Sequence, residues 1–278
     1  MIPPIASRFV AGETPAEALS HVRDANDRGL KVILNLLGEH YAERGPADED
    51  ADAYCRLIED IDREGLEACV SVKPSQLGLD VGVDVFRENL ARVVENGTEH
   101  ERFVWMDMED RTATDATIDA FETFARQTDG GVGVCLQANL KRTAADVERL
   151  ADVPGKIRLV KGAYNEPSEV AFRRIERVNR AFEERLEELF RRYVGTVAVG
   201  SHDPAMIDRA RELHDEYGTP FEIQMLMGVR EDAQVALAEE CEVWQYVPYG
   251  DRWLSYFTRR VTERKENVLF ALRAIVGR

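Results

Sequence analysis

Each of eight apolar runs ends in polar side chains: Glu39, Lys73, Asp107 with Glu109, Gln137, Lys161, His202, Gln224 and Tyr246. Apolar residues precede every one of them, so the pattern predicts polar groups projecting from dry walls into one mouth. Two of the chain's six lysines, Lys73 and Lys161, fall at these ends, although thirty arginines carry most of its positive charge. A compact ammonium does not substitute for a guanidinium in a tight site. Such lysines suit two chemistries, holding a small anion or forming a Schiff base with a carbonyl substrate. A second reactive stretch is YVPYGDRWLSYFTRRVTER (246–264). Pro248 and Gly250 mark a loop, and the pattern predicts a helix after it. On that helix Tyr256 shares a face with Arg259 and Arg260, and Arg259 lies one turn from Glu263. Paired arginines beside an aromatic wall can clamp a small carboxylate while the wall packs its apolar body.

Side chains at strand ends need strands to hold them. The runs are KVILNLLG (31–38), EACVSVKP (67–74), FVWMDMED (103–110), GVGVCLQA (131–138), IRLVKGAY (157–164), TVAVGSH (196–202), FEIQMLM (221–227) and EVWQYVPYG (242–250). Near-continuous hydrophobicity is what a strand buried on both faces requires. Between them, helical spacing predicts helices. Val170, Phe172, Ile175, Val178, Phe182, Leu186 and Leu189 form one apolar series; Ile207, Ala210, Leu213 and Tyr217 form another. Thr143 and Asp203, the latter followed by Pro204, read as helix N-caps. Eight strand–helix alternations predict an α/β fold, a single (βα)8 barrel over residues 1–278. An open nucleotide-binding sheet fits less well, because the Gly130, Gly131 and Gly133 cluster precedes its strand rather than following the first one. The arm before Lys31 is long enough for one helix covering the barrel bottom.

Composition narrows the function classes. The chain has 278 residues, 52 acidic against 36 basic, and a net charge of −16. A global negative charge repels phosphate, so no nucleic-acid partner is expected. No apolar run approaches the roughly 18 residues of a membrane span, and the N-terminus shows no signal-peptide pattern. The four cysteines form no CxxC or Cys/His cluster; a metal site is not predicted, and a reducing cytoplasm is the expected setting. Excess carboxylates with scarce lysine are read as adaptation to a salty cytoplasm.

The motifs LNLLGE (34–39), SVKPSQLGL (71–79), DMED (107–110), LQANLKRT (136–143), RLVKGAY (158–164), SHDP (201–204), FEIQMLMGVR (221–230) and the final YVPYG…YFTRRVTER closely resemble the proline dehydrogenase family. They occur in family order across essentially the whole barrel. The resemblance implies a monofunctional, FAD-dependent enzyme that takes hydride from the carbon beside the nitrogen of L-proline. The product is Δ1-pyrroline-5-carboxylate, in the first step of degradation to glutamate. It further implies that Lys73, Arg259 and Arg260 bind the substrate carboxylate, with Asp107 and Glu263 as acidic partners. Tyr246, Tyr256 and Leu226 wall the pyrrolidine ring, and Arg158 approaches the flavin N5 edge. Met108, Gln137, Val160, Lys161, Gly162 and Ala163 hold the flavin ring and ribityl chain, and Ser201 and His202 meet its ribityl–pyrophosphate region. Met225, Leu226 and Met227 depart from the family pattern, and their flexible side chains are expected to reshape the pocket. The family commonly passes electrons to a quinone, which implies peripheral membrane contact. Two other readings stand beside this one: a Schiff-base aldolase using Lys73 or Lys161, and a non-catalytic acidic scaffold.

Overall fold

All eight predicted runs become strands. A computed structural model of the chain describes residue 2 and residues 6–254. Strands β1 (Lys31–Leu36), β2 (Ala68–Val72), β3 (Val104–Met106), β4 (Val132–Gln137), β5 (Lys156–Val160), β6 (Thr196–Gly200), β7 (Phe221–Leu226) and β8 (Val243–Tyr249) pair in parallel and in order. β8 closes on β1 with Lys31 opposite Trp244 and Leu36 opposite Tyr249. The barrel is therefore complete within the described residues. Between them stand α1 (Pro15–Asn26), α2 (Arg44–Arg63), α3 (Val83–Glu99), α4 (Thr114–Gln127), α5 (Thr143–Leu150), α6 (Ile175–Arg192), α7 (Pro204–Tyr217) and α8 (Glu231–Ala238). The predicted C-terminal helix, with Tyr256, Arg259, Arg260 and Glu263, lies outside the described residues.

Side chains alternate across each strand. Outward residues such as Val32, Leu34, Val70, Val134, Ile223 and Met225 join the buried helix faces in one continuous core. Inward residues form a second, smaller apolar plug of Ile33, Cys69, Trp105, Ala198 and Trp244. Gly133 makes room for that plug, since a Cβ there would lie 2.6 Å from the Trp105 ring. Gly133→Ala is accordingly expected to lower stability by about 1–3 kcal/mol through overpacking. An unchanged denaturant midpoint would show that Trp105 has space to move.

Local chemistry explains the helix starts, and it revises some expectations. Asp203 caps α7 by accepting from the Ala205 N–H, with Pro204 in the first turn. Thr14 caps α1 in a reciprocal box with Glu17. Thr143 is not a cap: it is the first residue of α5, and its hydroxyl donates to the Gln137 carbonyl at 2.6 Å. The 170–189 apolar series is helical only from Ile175. Val170 and Phe172 stand two apart, a strand spacing, and Ala171 bridges antiparallel to Leu140. This bridge ties the β5–α6 loop to the β4–α5 loop. α1 does not cover the barrel bottom. It packs along the flank of β1 and β8, with His21 Nε2 2.6 Å from Gln245 Oε1. Its apolar face, Ala18, Leu19, Val22 and Ala25, is buried there.

The acidic excess lies outside. Among the described residues, only Glu109, Asp146, Glu166 and Glu222 are fully buried acids. All four cysteines are free; Cys69 and Cys135 are buried within the barrel wall.

Candidate active site

The C-terminal ends of the strands bring the predicted polar residues to one mouth, and Lys73, Asp107, Gln224 and Tyr246 belong to one network there. β3 is short, and Asp107 follows it directly. Its Oδ1 accepts from Ser71 Oγ at 2.7 Å and from Arg158 Nη2; its Oδ2 accepts from Tyr246 OH at 2.6 Å. One carboxylate thereby joins β2, β5 and β8 across the barrel. Burial alone would raise the Asp107 carboxyl, but the charges of Arg158 and Lys73 and the two hydroxyl donors hold it below the usual range. Arg158 is only 5% exposed. Its guanidinium carbon lies 4.9 Å from the Trp105 ring centre and 5.5 Å from that of Tyr246. Aromatic faces on both contacts favour a cation. Burial opposes the charge, yet Arg158 stays firmly protonated beside Cys135, Asp107 and Tyr246.

Lys73 follows β2 and is nearly buried; its Nζ donates to Asn35 Oδ1 at 2.9 Å. Asn35 is oriented in turn, because its amide donates to the Ser71 carbonyl at 2.8 Å. Glu109 accepts twice from Ser75, through the backbone N–H and the hydroxyl. Burial pushes the Glu109 carboxyl up, although those bonds and the Lys73 charge oppose the shift. Glu39 lies beyond the end of β1 and stays half-buried.

The β4–β5–β6 side of the mouth is different in character. Gln137 ends β4, donating to the Glu109 carbonyl at 2.7 Å and accepting from the Ala163 N–H at 3.3 Å. It thus spans the loops after β3 and β5. Met108 is buried, while Val160 and Lys161 are half-buried and Gly162 and Ala163 are exposed. Lys161 pairs with Asp203 at 2.8 Å. Gly162 has φ 108, and a Cβ on it would lie 2.0 Å from Asn139 Oδ1. That position tolerates only glycine, and the neighbour it admits is Asn139. The Asn139 oxygen is buried and has no hydrogen-bond partner among the described residues. Ser201 is buried and accepts from the Asp203 N–H. His202 Nε2 accepts from the Leu226 N–H at 3.1 Å, which puts the proton of the neutral ring on Nδ1.

Met225 and Met227 do not reshape this pocket. Both point outward into the helix-facing core, because β7 alternates; of the three residues only Leu226 takes the inward register of Glu222 and Gln224. Sequence reasoning passed over Asn35, Ser71, Asn139 and Glu222. Three of them are polar letters inside apolar runs, two or four residues before the polar residues Glu39, Lys73 and Gln224, and that step of two was the available signal. Asn139 lies in the quoted LQANLKRT motif, but nothing in its spacing marks an unmet oxygen.

Comparison with known proteins identifies relatives along nearly the whole chain. A family model described as Proline dehydrogenase matches residues 18–273. Proline dehydrogenase 2 of Bacillus subtilis (strain 168) is 33% identical over 276 residues, 97% of this chain and 90% of that protein. Proline dehydrogenase of Deinococcus radiodurans is 34% identical over 280 residues, 98% and 90% respectively. Among solved structures, proline utilization A from Bdellovibrio bacteriovorus superposes with a TM-score of 0.84 at 21% identity. That match covers 92% of this chain but only 32% of the larger one, and it speaks to the fold alone. The sequence matches run nearly end to end through the barrel that carries the Arg158–Asp107 pair: the chain belongs to the proline dehydrogenase family.

Proposed function

We propose that this chain oxidises L-proline to Δ1-pyrroline-5-carboxylate, the first step of proline catabolism, with FAD held at the barrel mouth. The observation that carries the reading is the buried Arg158–Asp107 pair beneath the strand ends of a barrel of this family. Family membership makes the chain an oxidoreductase acting on proline and favours neither the aldolase nor the scaffold reading.

The residues present fit a flavin. Asn139 keeps a buried acceptor without a donor beside the open backbone of Gly162 and Ala163, where a ribityl hydroxyl could meet it. Lys161 would help to hold the ring and ribityl chain, Ser201 and His202 would meet the ribityl–pyrophosphate region, and Arg158 would supply a fixed cation for the ring edge. When bound, the flavin supplies the two-electron acceptor for the substrate's hydride. Lys73, with Arg259 and Arg260, holds the proline carboxylate, and Tyr246, Tyr256 and Leu226 enclose the ring. Asp107 keeps Arg158 and Tyr246 in place while substrate enters, and Glu263 serves the arginines in the same way. Fixing both reactants in this manner makes transfer effectively unimolecular.

Residues 1–278 are read as a single proline dehydrogenase-like barrel domain. Electrons leave to a quinone, which brings a cytoplasmic enzyme to the periphery of a membrane; no described helix is long and apolar enough to cross one. The carboxylate-rich exterior suits a high-salt interior.

A visible spectrum of the purified protein tests the proposal. Flavin bands that bleach under anaerobic proline are expected; a colourless protein, or a yellow one unchanged by proline, overturns it. Arg259→Met and Arg260→Met are each expected to raise the proline KM more than tenfold, from loss of a charge-assisted contact of about 1.5–3 kcal/mol. Unchanged steady-state kinetics in both would remove them from the carboxylate clamp.

A further inference from the structure

We propose that Gln224 and Glu222 are positioning residues that hold the Arg158 guanidinium in its working orientation through Nη1, while Asp107 holds Nη2. The inference rests on the flavin-dependent reading of the site and deepens it.

A chain of side-chain contacts runs up the inside of the barrel. Lys156 Nζ donates to Glu222 Oε2 at 2.5 Å. Gln224 Nε2 donates to Glu222 Oε1 at 2.6 Å, and Gln224 Oε1 accepts from Arg158 Nη1 at 3.1 Å. Glu222 is 1% exposed and Gln224 4%. Lys156 and Arg158 stand on β5, Glu222 and Gln224 on β7, so the two contacts that join these strands pass over β6. That reach exists because β6 presents small residues there. Ala198 pairs in register with both Arg158 and Glu222, and a Cβ on Gly200 would lie 2.7 Å from Val160 and 3.4 Å from the Arg158 Cγ.

The chemistry of the chain fixes one amide orientation. Burial pushes the Glu222 carboxyl up, but the Lys156 ammonium and the Gln224 amide favour its ionised form, which can only accept hydrogen bonds, so the Gln224 NH2 must face it. The Gln224 carbonyl is then left for Arg158, which can only donate. A flipped amide would set donor against donor and acceptor against acceptor. Asp107 and Ser71 take Nη2, Gln224 takes Nη1, and the Trp105 and Tyr246 rings lie 4.9 Å and 5.5 Å from the guanidinium carbon, so its rotation would break several contacts at once. A buried ionic group is weak evidence for stability, since apolar residues of similar volume often serve as well. Orientation of a cation is what this set provides that an apolar filling would not.

Gln224→Met retains length and removes both amide contacts. In flavin-loaded variant enzyme we expect kcat to fall about a hundredfold from a displacement of Arg158 of ångström scale. The proline KM should stay within about threefold, because the carboxylate contacts are untouched. The midpoint potential of the bound flavin should become more negative as the cation loosens. Wild-type kcat and potential in a flavin-loaded variant overturn the proposal, as does a loss carried by KM alone. Gln224→Glu provides the rescue: two adjacent carboxyls share a proton, and the protonated one donates to Glu222 while its carbonyl accepts from Arg158. It should keep more than about a tenth of kcat. Should the Met variant fail to hold flavin, the Glu variant decides alone, and a flavin-loaded Glu variant slowed a hundredfold overturns the proposal. A wild-type protein without flavin or without proline oxidation fails the underlying reading before any variant is compared.

Discussion

Asp107→Ala is expected to lower kcat/KM by more than about a hundredfold and to destabilise the fold by about 3–5 kcal/mol, because it leaves the buried Arg158 charge without its partner. The loss exceeds that of a surface ion pair, since Arg158 is 5% exposed and Asp107 14%. It also frees Tyr246, whose hydroxyl has its contact at Asp107 Oδ2. Linkage gives the effect a pH signature. Asp107 is held below its ordinary 3.8 in the folded chain. The unfolded chain therefore binds the proton more readily, and the stabilisation is present above the unfolded value. It is lost as pH falls through the lowered folded value. The stability gap between wild type and Asp107→Ala should accordingly be widest near neutrality and narrow in acid. Denaturant midpoints measured across that range check it; a gap independent of pH would show that packing, not charge, carries the difference. Asp107→Asn, which keeps the acceptor for Tyr246 but not the charge, should fall between the two.

The barrel was legible because two-face burial writes itself as uninterrupted apolar runs, and each of these runs became a strand. The site was legible to the depth of one residue per strand. Lys73, Asp107, Gln137 and Lys161 sit at or directly after strand ends, where polarity resuming in a barrel means a mouth. Deeper groups were missed for a physical reason. Ser71, Glu222 and Asn35 are polar residues within apolar runs, and only the step of two shows that they share the inner face. The same step places Met225 and Met227 outside, where they pack against helices. Loop-to-loop pairing escaped altogether: the contact of Ala171 with Leu140 depends on two chain segments meeting in space, and Val170 and Phe172 blend into the following helical series when only apolar letters are tracked. Thr143 shows a related limit. A threonine before a helix reads as a cap, but here its hydroxyl serves the Gln137 carbonyl and so supports a residue of the mouth.

Lys73→Met should raise the proline KM more than tenfold, the loss of a charge-assisted contact worth about 1.5–3 kcal/mol, with a smaller effect on kcat. Two features of the structure make this residue hard to replace. Its ammonium is aimed by Asn35, which the Ser71 carbonyl holds, so the charge is delivered to one point rather than swept by a flexible chain. It also stands near two carboxylates, lowering both Asp107 and Glu109. Its removal should let the Glu109 carboxyl rise further, as burial already drives it upward. Lys73→Arg should not restore the wild-type KM, because a planar guanidinium is longer and cannot keep the Asn35 contact while meeting the substrate at the same point. Steady-state kinetics against proline, repeated over pH, separate the outcomes. A Lys73→Met enzyme with an unchanged KM would place the carboxylate elsewhere in the mouth, and a Lys73→Arg enzyme indistinguishable from wild type would show that charge alone, without the aim that Asn35 gives it, is sufficient for binding.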